Sequence, residues 1–360
     1  MPAEARTEQH VLGLIERVKG KPLRFRDERI TMAHGAGGKA TLALVEGLLA
    51  PAFGLEARAL DDAARLELGG AQLALTTDSF VVKPIRFPGG SIGELAVNGT
   101  VNDLAVSGAR PLALTLSLVL EEGLTAAELT AEVEAIALAA AAAGVEILAG
   151  DTKVVERGHC DDMYVTTTGL GVVDDRAELA PTSLRPGDRI LLSGPIAAHG
   201  MAIMLARGEF ELEASIESDT RQLWPAVDAL LDAVGSELRC IRDATRGGLA
   251  SVLNELARAS GVAIVVHEAS IPIAPAVVGA CEILGIDPMY VANEGALVAF
   301  VSPAAAEAAL AALRAVPGFE AADAIGEVKT DPEGLVLVET AFGGRRVMDM
   351  LVGDPLPRIC

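Results

Sequence analysis

In the first half of the chain, four apolar segments run into acid or amide residues, and this recurrence constrains the fold more than any other feature. Asp61-Asp62-Ala-Ala64 comes first. Gln72-Leu-Ala-Leu-Thr-Thr77 then reads as a strand delivering Asp78-Ser79. Gly93 to Ala109 carries a buried helical stripe of Leu95, Val101, Leu104 and Ala105, with Asn98, Asn102 and Asp103 polar among them. Leu112 to Leu120 is a long β-like run. Thr125-Ala-Ala-Glu128 is a capping box, and Leu129, Val133, Ile136 and Ala140 continue a helix that stops at Gly144. Val145 to Ala149 is a short strand ending in Gly150-Asp-Thr-Lys153. A carboxylate just past a buried strand stands where α/β folds place ligand chemistry. Hard oxygens spread over several element ends suit Mg²⁺ held with nucleotide phosphates, although each Asp alone could equally cap a helix or a turn.

The second half follows the same loose plan of strand, glycine-containing loop and helix, without a strict repeat. Pro181 to Asp188 has linker composition. Arg189 to Ser193 is a strand, followed by Gly194-Pro-Ile-Ala-Ala-His-Gly200 and a helix. Arg242-Asp-Ala-Thr-Arg-Gly-Gly-Leu249 leads into a helix with Leu249, Leu253, Leu256 and Ala257 on one face. Tyr290-Val-Ala-Asn-Glu-Gly295 leads into the strand Ala296 to Val301. A 51% hydrophobic, 3% aromatic composition predicts large aliphatic cores. A net charge of −21 opposes nucleic-acid binding. No apolar run of membrane-spanning length and no secretory leader is present, so a soluble, cytoplasmic protein with no membrane contact is expected. Cys160, Cys240, Cys281 and Cys360 lack C-x-x-C spacing and read as reduced thiols.

Two further stretches carry chemistry. Met32-Ala-His-Gly-Ala-Gly-Gly-Lys-Ala-Thr41 precedes an apolar-periodic helix through Leu42, Val45, Leu48 and Leu49. It is either a phosphate-contacting loop or a flexible glycine turn, and it is not a Walker A loop, because Ala40 follows Lys39. The chain ends Pro355-Leu-Pro-Arg-Ile-Cys360. The prolines bar a helix, and from Gly353 onward an extended tail reaches about 26 Å at ~3.3 Å per residue. Cys360 is either the load of a swinging arm or the last residue of a frayed end.

With these residues in view, the chain from His34 to Cys360 resembles the HypE family of hydrogenase maturation factors, in a superfamily with aminoimidazole ribonucleotide synthetase and selenophosphate synthetase. The matching segments are His34-Gly-Ala-Gly-Gly38, Asp61 to Ala64, Thr77-Asp-Ser79, Gly99-Thr-Val-Asn-Asp-Leu-Ala105, Gly150 to Lys153, Arg242 to Leu249, Ala292-Asn-Glu-Gly295 and Pro357-Arg-Ile-Cys360. The Pro-Arg-Ile-Cys ending is what singles out HypE. Ser91 and Ala198 depart from the Asp usual in the family. The resemblance implies an α+β, two-domain PurM-like architecture that dimerises through its first domain. The expected divisions are an extension at 1–28, an ATP-binding and dimerisation domain at 29–180, a second domain at 181–342 and a flexible tail at 343–360.

It also implies an ATP-dependent carbamoyl dehydratase. Such a protein accepts a carbamoyl group on its terminal cysteine from the carbamoyltransferase HypF. It dehydrates the thiocarboxamide to a thiocyanate and passes cyanide to iron on the HypC–HypD scaffold. The expected cofactors are ATP and Mg²⁺. Asp62, Asp78 and Asp103 are the first choices for metal, with Asn102 and Asp151 second. Lys39 and Lys153 are phosphate candidates, and Arg246 is either another or a salt-bridge partner. Glu294 is the expected base, and Cys360 is nucleophile and carrier. The α-carboxylate of Cys360 raises its thiol pKa, and Arg358 opposes this in part. His34 and His199 read as structural hydrogen-bonding residues, and His159-Cys160-Asp161-Asp162 as a solvated loop. Two rivals remain. A selenophosphate synthetase-like enzyme needs an N-terminal Cys or selenocysteine, and none precedes Cys160. A non-catalytic carrier would bind nucleotide only to hold its arm.

Overall fold

The computed structural model describes residues 25–55, 61–208, 215–353 and 358–360. Residues 1–24 of the expected N-terminal extension and the tail prolines Pro355 and Pro357 lie outside these residues.

Two sheets organise the chain. The first has the order β1-β2-β7-β5-β6. Its strands are β1 (Ala64–Leu68), β2 (Ala71–Phe80), β5 (Ala109–Glu121), β6 (Glu146–Val155) and β7 (Met163–Val173), with a small hairpin of β3 (Arg86–Phe87) and β4 (Gly90–Ser91) beside it. Gly69 and Gly70 both take positive φ, 61° and 87°, which suits the tight β1–β2 turn. The sequence pattern missed β1 and cut β2 short. β2 runs on to Phe80, so Asp78 lies inside the strand rather than just past it. Strand alternation then sets Ala74, Thr76, Asp78 and Phe80 on one face.

Against that face packs α2 (Ile92–Val106), which is apolar and buried on nearly every side, as a central helix should be. A short α1 (Lys39–Leu44) precedes it and continues through a π-helical turn, Val45–Leu49. α3 (Ala126–Ala143) is the crossover between the parallel strands β5 and β6. The predicted capping box opens α3, with Glu128 N–H donating to Thr125 Oγ1 at 3.2 Å, and Gly144 ends it at φ 66°.

The second sheet has the order β14-β13-β10-β12-β8-β11-β9. These strands are β8 (Arg189–Leu192), β9 (Leu238–Asp243), β10 (Ala263–His267), β11 (Leu297–Val301), β12 (Asp323–Lys329), β13 (Val336–Glu339) and β14 (Arg345–Met348). Helices α4 (Ala198–Ala206), α5 (Trp224–Val234), α6 (Gly248–Ser260), α7 (Pro275–Leu284) and α8 (Ala306–Ala315) accompany them. One apolar core joins the two halves, from Phe80, Leu95 and Val165 to Ile190, Leu253 and Phe300.

The tail differs from its expectation. β14 pairs with β13 from Val336↔Met348 to Glu339↔Arg345, so the second sheet extends into the stretch assigned to a flexible tail at 343–360. The chain end is docked. Val81 N–H donates to Cys360 O at 3.1 Å and Lys83 N–H to Arg358 O at 3.3 Å, an antiparallel pairing beyond the end of β2. Ile359 is 5% exposed and belongs to the core. Such burial contributes about 2 kcal/mol, enough to favour the docked arm while still allowing release.

Candidate active site

The central feature is a nest of carboxylates. Asp62 precedes β1, Asp103 comes from α2 and Asp243 ends β9, and one oxygen from each lies within 4.8 Å of the others. Thr76 Oγ1 sits 2.9 Å from Asp62 O and 2.8 Å from Asp103 Oδ2. Burial drives Asp62 and Asp103 well above the usual carboxylate range. It pushes Asp243 up to about 6, with Arg242 opposing. Arg242 Nε lies 2.6 Å from Asp62 Oδ2. Burial also raises Asp78, against the pull of Arg246 at 3.8 Å. The sequence points to Asp62, Asp78 and Asp103 for metal. In the structure Asp243 completes the trio, and Asp78 stands beside it, its charge felt at both Asp103 and Asp243. Crowded, buried, all-oxygen donors fit a hard divalent cation such as Mg²⁺.

This crowding has a measurable consequence. Groups with raised folded pKa bind more protons folded than unfolded, so stability falls as pH rises through the gap. For Asp243 the gap runs from the ordinary carboxylate value to about 6. Asp174, held at about 2 by Arg176, acts in the opposite sense only at lower pH. In chelator, thermal unfolding at about pH 7.5 should fall below that at about pH 5, and Mg²⁺ should narrow the difference. Equal midpoints in chelator would refute the electrostatic crowding.

Arg246, just before Gly247, faces this nest. Its guanidinium is stabilised first by negative charge at Cys360, then by Asp78, Glu294 and Asp103. Gly37 and Gly247 allow the glycine loop to close on it, since a Cβ at Gly37 would lie 2.7 Å from Arg246 O. Glu294 is 4% exposed, and burial raises its pKa well above the ordinary value, with Asp243 and Asp78 adding to the shift. Asp219 fixes the Glu294 backbone by accepting the Glu294 and Gly295 N–H groups at 3.0 and 3.1 Å.

Other selected residues stand elsewhere. Asn102 is a strut: its Nδ2 donates to Arg221 O at 2.9 Å, and its Oδ1 accepts Leu223 N–H at 2.8 Å. Lys39 pairs with Asp349 at 2.6 Å. Two N–H groups of the glycine loop also have protein partners, Gly37 with Thr41 Oγ1 and Lys39 with Leu351 O. This is the packing of a glycine turn. Asp151 and Lys153 pair with each other at 2.5 Å. The register Asp78↔Thr167, Thr167↔Leu116, Leu116↔Gly150 puts β6 three strand spacings, about 14 Å, from β2. Asp151 and Lys153 point to the opposite face from Asp78, because the inward positions of β6 align with Leu116 and Leu118. Neither belongs to the carboxylate nest of its own chain. Ser91 precedes α2 and Ala198 opens α4, and neither joins the nest.

Two residues were missed. Asp243 ends β9, so it follows the same strand-then-acid pattern as the first-half acids. The sequence context of Asp161 suggests a solvated loop. Instead it is largely buried and holds Lys83 at 2.6 Å and Arg358. Arg358 is therefore committed to Asp161, and Arg246 supplies the positive charge near Cys360. No local pattern marks Asp161, because its partners lie far away in sequence.

Comparisons agree with this architecture. Residues 60–173 match AIR synthase related protein, N-terminal domain, and residues 185–339 its C-terminal domain. The carbamoyl dehydratase HypE of Rhodobacter capsulatus is 51% identical over 340 residues, covering 93% of this chain and 99% of that protein. A crystal structure of a HypE–HypF complex matches at TM-score 0.81 and 44% identity, covering 86% of this chain and 100% of the matched one. One of HypE in complex with ATP matches at TM-score 0.77 and 43% identity, covering 92% and 100%. No helix among the described residues is long and apolar enough to cross a membrane. Taken with a carboxylate nest and a docked terminal cysteine, these likenesses establish that the chain belongs to the HypE family of carbamoyl dehydratases.

Proposed function

We propose that this chain dehydrates a carboxamide on the Cys360 sulfur to a thiocyanate, supplying cyanide for nickel–iron hydrogenase. The observation that carries the reading is that Arg246 and Cys360 line one cavity with Gly35 and Ala36 of the glycine loop, while the Arg246 guanidinium lies 3.8 Å from Asp78 beside the carboxylate nest. ATP supplies the phosphoryl group that makes the amide oxygen a leaving group, and Mg²⁺ the charge neutralisation around it. In balance, carboxamide and ATP give thiocyanate, ADP and phosphate, and both N–H protons leave. Asp62, Asp103 and Asp243, with Asp78 beside them, would hold the cation. Arg246 faces the developing phosphate charge, and the Glu294 carboxylate accepts an N–H proton. A HypF-type carbamoyltransferase loads the cysteine, and a HypC–HypD scaffold receives the cyanide. Intact-protein mass spectrometry with the carbamoylating partner and ATP tests this. A dehydratase loses one water from the carboxamide, whereas a carrier stops at it.

A second copy completes the reading. β6 is an edge strand exposed along most of its length, with Ile147, Leu148 and Val154 open to solvent. Leu66, Leu68 and Leu75 are exposed across the same sheet. A long apolar edge of this kind is what oligomerisation covers. Dimerisation through this sheet would give Asp151 and Lys153 a route to the partner's site, which they lack in their own chain. Mixing Lys153→Ala with Glu294→Gln should then recover about a quarter of native activity through mixed dimers with one intact site. No recovery, with subunit exchange verified, would remove Lys153 from a shared site.

A further inference from the structure

His199 lies in the first turn of α4, fully buried, and touches the tail rather than the acids. Its Nε2 is 2.5 Å from Ile359 O, and its Nδ1 is 2.8 Å from Ser218 Oγ. A carbonyl can only accept, so Nε2 carries the hydrogen. Thr220 N–H donates to Ser218 Oγ at 3.1 Å, which leaves the serine hydrogen for Nδ1. Burial pulls the imidazole pKa below its ordinary value, so the ring is neutral and this tautomer is fixed. The Phe87 ring, edge-on at 5.6 Å, sets the plane of the imidazole. Ser218 itself is tied to the first domain, its N–H donating to Pro88 O at 2.8 Å.

We propose that Ser218 and His199 are positioning residues that seat the terminal cysteine for dehydration, through the Ile359 carbonyl, and take no part in loading. The neighbouring Asp219 holds the Glu294 backbone. One dipeptide, Ser218-Asp219, therefore sets both the sulfur's backbone and the base. Loading requires a released arm that an external enzyme can reach, whereas dehydration requires a seated one. The assignment rests on the dehydratase reading for its kinetic part only.

Three full-length variants test it: His199→Leu, His199→Gln and Ser218→Ala. Glutamine places an amide N–H near the position of Nε2, whereas leucine has no donor. The first readout is the rate of Cys360 alkylation by iodoacetamide, followed by peptide mass. Cys160, Cys240 and Cys281 are buried and report on unfolding. Losing one buried hydrogen bond should speed Cys360 alkylation about tenfold in His199→Leu. Single-turnover dehydration should slow by a smaller factor, because most arms stay seated, and loading by the carbamoyltransferase, which uses the released arm, should proceed at least as fast as in the native protein. His199→Gln should stay near native on every measure. Native alkylation in His199→Leu, or a His199→Gln variant as impaired as His199→Leu, would overturn the proposal. If leucine prevents folding, Ser218→Ala decides, with faster alkylation supporting the assignment and a native rate overturning it. Absence of dehydration in the native protein would sink the dehydratase reading alone, because alkylation reports seating without any chemistry.

Discussion

Replacing Cys360 with alanine should abolish carbamoyl loading while leaving ATP affinity unchanged. Loading needs a thiolate to attack the carbamoyl donor, and neither a methyl group nor the buried thiols can substitute. Burial pushes Cys281 up to about 11, which keeps that thiol protonated and inert near neutral pH. The nucleotide side of the site should not notice the change. Asp62, Asp103 and Asp243 are carried by or beside β1, α2 and β9. The alanine also keeps the carbonyls of residues 358–360 and the Ile359 anchor, so the tail can still dock. Intact mass after incubation with the carbamoylating partner reads the first effect, and a nucleotide titration reads the second. Thiocyanate formed by Cys360→Ala would take the tail out of the chemistry.

Much of the fold was legible because periodic burial is local. α2 and α3 and the long strand β5 follow from stripes and a capping box that any window of the sequence displays. The hairpin strand β1 was not legible, because all five of its residues are exposed and it carries no alternation of burial. In the site, Asp62 and Asp103 were readable as acids at element ends, whereas Asp161 and His199 act on residues nearly 200 and 160 positions away. Lys153 stands away from the nest of its own chain for a different reason. Strand parity turns it to the outer face, and parity depends on a register set by the bulge at Leu148 in β6. The tail's mobility was inferred from composition, which is blind to a single isoleucine finding the core.

Converting Glu294 to glutamine should leave loading intact and slow dehydration by about 10²–10⁴-fold, the range for loss of a general base. Glutamine preserves shape and fits the same buried position, so the loss measures the carboxylate itself. Asp219 grips the Glu294 and Gly295 backbone N–H groups, which the substitution does not touch, so the local path should persist. The pH dependence supplies the sharper test. Burial, then Asp243 and Asp78, raise the Glu294 pKa well above the usual carboxylate range, while Arg246 lowers it. The base is the ionised form, so single-turnover dehydration should rise with pH through that elevated pKa and level off above it. The raised pKa also brings the base closer to neutrality, where a carboxylate removes an amide proton more effectively than at its ordinary basicity. In Glu294→Gln this ascending limb should vanish. A variant that keeps both native turnover and the limb would place the proton acceptor elsewhere. A slow variant that keeps the limb would mean another raised acid of the nest, such as Asp78, controls the profile.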